Sequence, residues 1–182
     1  MLNLEEMNCK IFDLFRNHWA IVTAGTLEHF NACTVSWGSL GTFWTGPGLS
    51  GNMATVYIHP ARYTHEFMRS SDYFTVSFFP ERCKKAMQII GSRSGRDGDK
   101  VAEAGLTPVA MGQSVGYQEA SFTLLCRTLY KYPFVKEGLN PAIADYYKSL
   151  PGPYPVDENG DWQPHWIFTG DIVETFGSPD GL

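Results

Sequence analysis

The sequence is short of the features that mark several large classes of protein. Nowhere does it hold the roughly 20 consecutive apolar residues needed to cross a bilayer, so no membrane association is expected. Met1 to Phe15 carries Glu5, Glu6 and Asp13 among its apolar residues. A secretory signal needs a basic start and an unbroken apolar core, so no export is expected. Positive charge is scarce: 14 Lys and Arg stand against 19 Asp and Glu, a formal net charge of -5. That is the wrong sign for bulk nucleic-acid binding, which needs phosphates neutralised, although it leaves room for a local basic patch. Cysteine is sparse too. Cys9, Cys33, Cys83 and Cys126 are widely spaced, with no Cys-x-x-Cys pair and no metal-ligand rhythm. They read as buried free thiols in a reducing, cytoplasmic compartment, and no metal is expected. No internal repeat is visible.

What remains is an ordinary globular composition, 43% hydrophobic and 18% charged over 182 residues, enough for one domain over residues 1–182 with a substantial core. Aromatic residues make up 14% of the chain. Most should fill core or a subunit interface, and a few can stack on a planar ligand.

Apolar residues of Leu4 to Phe15 recur at three and four, which predicts an amphipathic helix. Strands are expected at Trp19 to Thr23, Cys33 to Trp37, Thr55 to Ile58, Tyr73 to Phe79, Ser121 to Tyr130 and Trp166 to Phe176. Short helices are expected at Pro60 to Met68, Glu81 to Ile90 (stopped by Gly91) and Asp97 to Ala104 (stopped by Gly105). Residues of about 131–164, rich in Pro, Gly and Tyr, form a long connection with one helical turn near Ala142 to Tyr147. Several short strands without regular strand–helix alternation favour a mainly β fold, a Greek-key barrel with short flanking helices.

Gly46-Pro47-Gly48-Leu49-Ser50-Gly51 fits the glycine pattern of dinucleotide-binding folds letter for letter. That pattern works only when a helix starts within it and meets the pyrophosphate. Here the strand-like Thr55-Val56-Tyr57-Ile58 follows, so the stretch reads as a flexible loop inside a glycine-rich excursion from Gly38 to Gly51.

Three other segments carry more. Asn31 to Ser39 offers a strand edge of small polar residues, whose N–H groups and hydroxyls suit a flat heteroatom ring that Trp37 could wall. A half-buried strand with a core tryptophan has the same pattern. His59-Pro60-Ala61-Arg62-Tyr63-Thr64 places an arginine and a hydroxyl in a first helical turn, where charge, donors and the positive helix end favour phosphate. An exposed arginine on a solvated turn reads the same. Gly91 to Lys100 can wrap an anion through N–H groups, serines and basic side chains. Alternatively, Ser94 or Asp97 only caps the next helix.

The segments "TVSWGS", "HPARYTHEF", "DYFTVSFFPE", "GSRSGRDGDKVAEAGLTP" and "LLCRTLY" stand in an order that resembles the flavoredoxin branch of the flavin reductase-like family. The resemblance covers roughly residues 15–130 and resumes over 165–173. It implies an FMN-binding split β-barrel, usually a homodimer with non-covalent FMN near the subunit interface. Matched by motif, the flavin contacts fall on Asn31, on Thr34, Val35, Ser36 and Trp37, and on Arg62, Tyr63 and Thr64. Ser92, Ser94 and Lys100 of the 92–100 loop join them. In the branch serving monooxygenases, Gly-Asp-His precedes a strand with a glycine five residues on. Here His165 and Gly170 match, but Gln163-Pro164 replaces the first pair, which leaves nicotinamide handling open.

Two functions follow. One is an enzyme in which NAD(P)H reduces bound FMN by hydride transfer, with His165 at the nicotinamide. The other is a flavoredoxin-like carrier exchanging electrons with a redox protein partner. An apolar ligand-binding barrel without flavin is a third, weaker fit.

Overall fold

The computed structural model describes residue 4, residues 9–149 and residues 156–179. Residues 5–8 of the expected first helix and 150–155 of the long connection lie outside them. Seven strands form one antiparallel sheet: β1 (Ala20–Thr26), β2 (His29–Val35), β3 (Gly38–Thr42), β4 (Asn52–Ile58), β5 (Tyr73–Phe78), β8 (Phe122–Pro133) and β9 (Trp166–Gly177). Their order is β2-β1-β5-β8-β9-β4-β3. A separate hairpin pairs β6 (Pro108–Met111) with β7 (Ser114–Tyr117).

This order dictates the shape. β2 and β3 occupy opposite edges of the sheet, yet only Ser36 and Trp37 join them. Six interstrand steps of about 4.8 Å would put the edges of a flat sheet about 29 Å apart. The three Cα–Cα steps from Val35 to Gly38 reach about 11 Å at most. The sheet therefore curls until its edges meet at Ser36-Trp37. Among the described residues no ladder closes the seam, so the barrel is split between β2 and the β3–β4 hairpin.

Strand alternation supplies two cores. Ala20, Val22 and Ala24 of β1 point into the barrel with Val56, Phe78, Leu124 and Phe168. Ile21 points outward under a second cluster that includes Phe79, Met87, Ile90 and Tyr117. Thr23, also facing outward, shares a 3.0 Å hydrogen bond with the Tyr117 hydroxyl. β1 is thus buried on both faces, which explains why Ala20–Thr23 reads as an unbroken β-rich run.

The mainly β expectation holds, with differences in detail. The first helix covers only α1 (Ile11–Asp13) and a π-helical turn, Leu14–His18, among the described residues. The excursion Gly38 to Gly51 begins as β3, whose glycines hid a strand that pairs with β4 along its whole length. Its remaining loop is held down: Ser50 donates to the buried Asp171 carboxylate from its N–H at 2.9 Å and from Oγ at 2.6 Å. The hairpin β6–β7 went unread because four-residue strands give too short an alternation. β8 extends three residues beyond Tyr130, so the long connection begins after Pro133. Within it, α5 (Pro141–Ser149) replaces the expected single turn.

Helix boundaries also move. α2 (Thr64–Ser70) starts after Arg62 and Tyr63, not at Pro60. α3 (Lys84–Ser92) follows a 3-10 turn at Glu81–Cys83 and runs through Gly91. Gly91 is no stop signal: a Cβ there would sit 3.2 Å from the Thr34 Cβ, so the residue is small because the helix lies against β2. α4 is only Lys100–Glu103, and its cap is Asp99, which accepts from the N–H groups of Val101 and Ala102. Ser94 and Asp97 do not cap it.

Candidate functional site

The seam of the barrel holds a cavity of about 190 Å³. Thr34, Val35, Ser36 and Trp37 form one wall; Tyr57, Ile58 and His59 at the end of β4 face them, with Arg62 and His165 completing the lining. Residues far apart in sequence meet here because the two-residue connector forces the edges together.

A second cavity, about 560 Å³, lies along the same strand. Its wall takes Asn31 and Ala32 of β2, opposite Gly95, Gly98 and Lys100. The two cavities follow one another along β2, from Asn31 to Ser36, a span of about 17 Å at strand rise. As an edge strand, β2 turns alternate N–H and C=O groups away from β1.

Arg62 sits in the turn before α2, where its N–H bonds the His59 carbonyl at 2.9 Å, and its Nη1 donates to the Gly91 carbonyl at 2.9 Å. Lys100 lies just behind: it is buried, and Nζ donates to the carbonyls of Ile90 and Arg93, each at 3.2 Å. Burial and, secondarily, Arg62 pull its pKa below the usual lysine value, against the opposing influence of the Cys33 thiol.

Three histidines stand near the seam. His59 accepts from the Ala61 N–H at Nδ1 (3.0 Å), so its Nε2 carries the proton and donates to the Gln163 carbonyl at 2.9 Å. Burial lowers its pKa, Arg62 adds to the shift, and the Gln163 bond works against it. His165 packs its ring 4.6 Å from Trp37 and 5.1 Å from His59, and its Nδ1 meets the Tyr147 hydroxyl at 2.6 Å. Burial, then His59 and Arg62, draw its pKa down to about 3, so the ring is neutral at physiological pH. His65 lies behind, in the barrel core.

The structure thus brings Thr34, Val35, Ser36, Trp37, Arg62 and His165 to one cavity, and Asn31 and Lys100 to its neighbour. The other named residues are turned elsewhere. Thr64 is buried and donates to Asn31 Oδ1 at 2.9 Å, bracing β2 from below. Tyr63 packs on Phe67 and carries the Arg96 guanidinium over its face at 4.4 Å. Ser92 donates back to the Gln88 carbonyl at 2.8 Å, and Ser94 Oγ accepts from the Arg96 N–H at 3.2 Å. Thr34 itself donates to the Met87 carbonyl at 2.6 Å, so its backbone rather than its hydroxyl faces the strand edge. The sequence reading missed Tyr57 and His59, although His59 belongs to the same quoted motif as Arg62. It also missed Tyr147 and its stacked neighbour Trp162, whose ring lies 5.1 Å away at 11°. No local motif marks that pair.

The flavin reductase like domain model matches residues 12–181. The chain belongs to the flavin reductase-like family. Among solved structures, a flavoredoxin from Methanosarcina acetivorans aligns over 100% of this chain and 78% of its own at TM-score 0.63 and 16% identity. An FMN-binding protein from Thermus thermophilus with bound 1-cyclohex-2-enone covers 100% and 82% at TM-score 0.63 and 19% identity. The NADH:FAD oxidoreductase SgcE6 of Streptomyces globisporus C-1027 covers 90% and 76% at TM-score 0.61 and 14% identity. At these identities the likeness is one of fold. No curated protein matches the sequence. Among the described residues of this flavin reductase-like chain, no helix is long and apolar enough to cross a membrane.

Proposed function

We propose that this protein is an NAD(P)H:flavin oxidoreductase that holds FMN non-covalently along the open edge of β2. The observation that carries this reading is the meeting of the Thr34–Trp37 edge, Arg62 and His165 at the barrel seam. The seam cavity alone falls below the size usual for a ligand site, but with its neighbour along β2 it comes within that range. The residues present fit such a group. Outward-facing backbone groups of β2 suit the heteroatoms of a flat ring, Trp37 gives an apolar wall, and Arg62 with buried Lys100 supplies the positive charge a phosphate needs.

Bound FMN would accept a hydride from the nicotinamide and pass the electrons on; the protein supplies binding, orientation and electrostatics. Arg62 holds the anionic tail, and its bond to Gly91 ties that contact to the end of α3. His165, kept neutral by burial, adds no positive charge that would oppose the nicotinamide cation left by hydride transfer, and it can hydrogen-bond a carboxamide. His59 fixes the Gln163 carbonyl and thereby the segment that delivers His165.

The carrier reading is favoured by one feature: Gln163-Pro164 stands where related reductases have Gly-Asp, and the Gln163 carbonyl is already engaged by His59. Its partner would be a redox protein. We also infer a homodimer in the cytoplasm, with no nucleic-acid partner.

The protein should purify yellow, releasing intact FMN on denaturation; a colourless protein that binds neither FMN nor FAD would sink the flavin reading. Stopped-flow mixing then separates the two functions. Reduction by NADH or NADPH, slowed on the order of a hundredfold per bound flavin in His165→Ala, supports the reductase. A wild type that neither nucleotide reduces, but that a reduced protein donor does, supports the carrier.

A further inference from the structure

A third cavity, of about 670 Å³, adjoins the seam cavity at Ser36, Trp37 and Tyr57. Its other walls come from α1, the π-helical turn after it, and β3. By itself it falls within the range of about 300–1,000 Å³ usual for small-molecule sites.

The walls are aromatic, and two of them are built at a cost. Phe15 reaches the cavity because Gly38 has no side chain: a Cβ there would fall on the Phe15 ring. Trp19, at the end of the turn, has φ 66° and ψ 168°, a backbone region held almost only by glycine. Lys84 keeps it there. Its ammonium lies 3.7 Å from the centre of the Trp19 ring and donates to the carbonyls of Asn17 and His18. Strain of this kind, imposed by the surrounding structure, gathers at ligand sites. With Trp37 and Tyr57, these side chains suit a flat, conjugated ring. Arg16 is the only charged residue in the lining, and it forms no ion pair among the described residues. The nearby Asp13 carboxylate is taken by Asn17 and His18. The cavity therefore offers a cation to an anionic substituent at the edge of an apolar ring.

We propose that this cavity is the electron-acceptor site and takes a flat aromatic anion of the quinone class, its rings among Trp19, Trp37 and Tyr57 and its acidic group on Arg16. This rests on the reading of the seam as the flavin site. Both cavities border on Trp37 and Tyr57, so the acceptor lies next to the flavin. Reduced FMN gives up two electrons and two protons and returns to its oxidised form; the quinone takes them up, and its two carbonyl oxygens become hydroxyls. His165, placed at the nicotinamide, lines the seam and not the third cavity, so nucleotide and acceptor occupy separate sites.

The test is equilibrium dialysis of anthraquinone-2-sulfonate against flavin-free and FMN-saturated protein. One site per chain is expected in both forms. Arg16→Gln should weaken that binding by on the order of tenfold, the size of one hydrogen bond to a charged group, and should raise KM for the same quinone in anaerobic turnover with NAD(P)H. Ser39→Trp, at an exposed position in the lining, should block the site. Displacement of the quinone by FMN would place it in the seam and overturn the assignment. Undiminished binding in both variants would do the same, as would a protein that binds no quinone. An Arg16→Gln protein that keeps its quinone affinity but loses mass in light scattering would give the cavity to a second copy of the chain. Wild type that binds no flavin would defeat the reading of the seam, while dialysis of the flavin-free protein still decides what the third cavity holds.

Discussion

The Arg62 guanidinium lines the seam cavity and donates to the end of α3, so its removal touches ligand and scaffold unequally. The side chain is exposed, and one surface hydrogen bond contributes little to folding. A contact to a charged phosphate is worth about 1.5–3 kcal/mol. Arg62→Ala should therefore weaken FMN binding by that amount in a fluorescence titration, with Tm nearly unchanged. Unaltered affinity would move the phosphate to the side of Lys100. His65 presents the opposite case. It is 5% exposed, its Nε2 has no hydrogen-bond partner among the described residues, and its ring packs edge-on to Trp166 at 4.8 Å. Burial first, then Arg69 and His59, lowers its pKa to about 4. Because the folded pKa is depressed, the unfolded chain binds more protons between about pH 6.5 and 4. Stability is then complete above 6.5 and falls as the pH drops toward 4, by on the order of 3 kcal/mol. His65→Phe, which keeps a ring among aromatic neighbours, should flatten the Tm-versus-pH curve over that window. A slope equal to that of wild type would place the acid sensitivity at another group.

Among the strands and helices, Gly170 on β9 shows how a motif can mislead about its cause. It was legible as the glycine five residues after His165, a position associated with nicotinamide handling. In the fold it lies opposite Ala54, and a Cβ there would sit 2.7 Å from a Phe74 ring carbon and 2.8 Å from the Cys126 Cβ. The residue is small because β9 crosses two core side chains with no space between. Gly170→Ala should cost about 1–3 kcal/mol through overpacking, read as a lower midpoint in urea, with flavin affinity per folded molecule retained. An unchanged midpoint would show that the core absorbs a methyl group there. Periodicity revealed the long buried strands β1, β5, β8 and β9, because their alternation is sustained and their ends carry turn residues. β3 escaped because Gly38 and Gly41 give no side chain to alternate, and its pairing with β4 is a non-local event. The seam was half legible for a similar reason. Thr34 to Trp37 and Arg62 lie in motifs, whereas Tyr147 meets His165 from 18 positions away and leaves no local pattern.

For the molecule as a whole, the curl that creates the seam leaves apolar side chains exposed beside it and along β3. Phe12 is 91% exposed, Trp37 47%, Phe43 55% and Trp44 41%. Phe43 and Trp44 stack on each other at 4.2 Å on the loop that Ser50 and Asp171 hold down. Phe12 and Trp37 line a third cavity, about 670 Å³, that shares Ser36, Trp37 and Tyr57 with the seam cavity. Scattered surface aromatics are ordinary, but Phe12 and Trp37 share one opening and Phe43 and Trp44 stack at the other end of β3, and aromatic surface of this kind is what the inferred homodimer would use. A second copy laid over this face would bury the aromatics and close the seam cavity to water with one contact. A stable pairing needs about 800 Å² from each partner, which requires β3 and its loop to take part beside the four rings. Light scattering at micromolar concentration should accordingly give twice the 20.4 kDa chain mass. Replacing Phe12 and Trp44 together by Ser should shift that mass toward the monomer and raise the accessibility of bound flavin to iodide quenching. A wild-type mass of 20.4 kDa would remove the homodimer, and the seam would then have to exclude water with Trp37 and His165 alone.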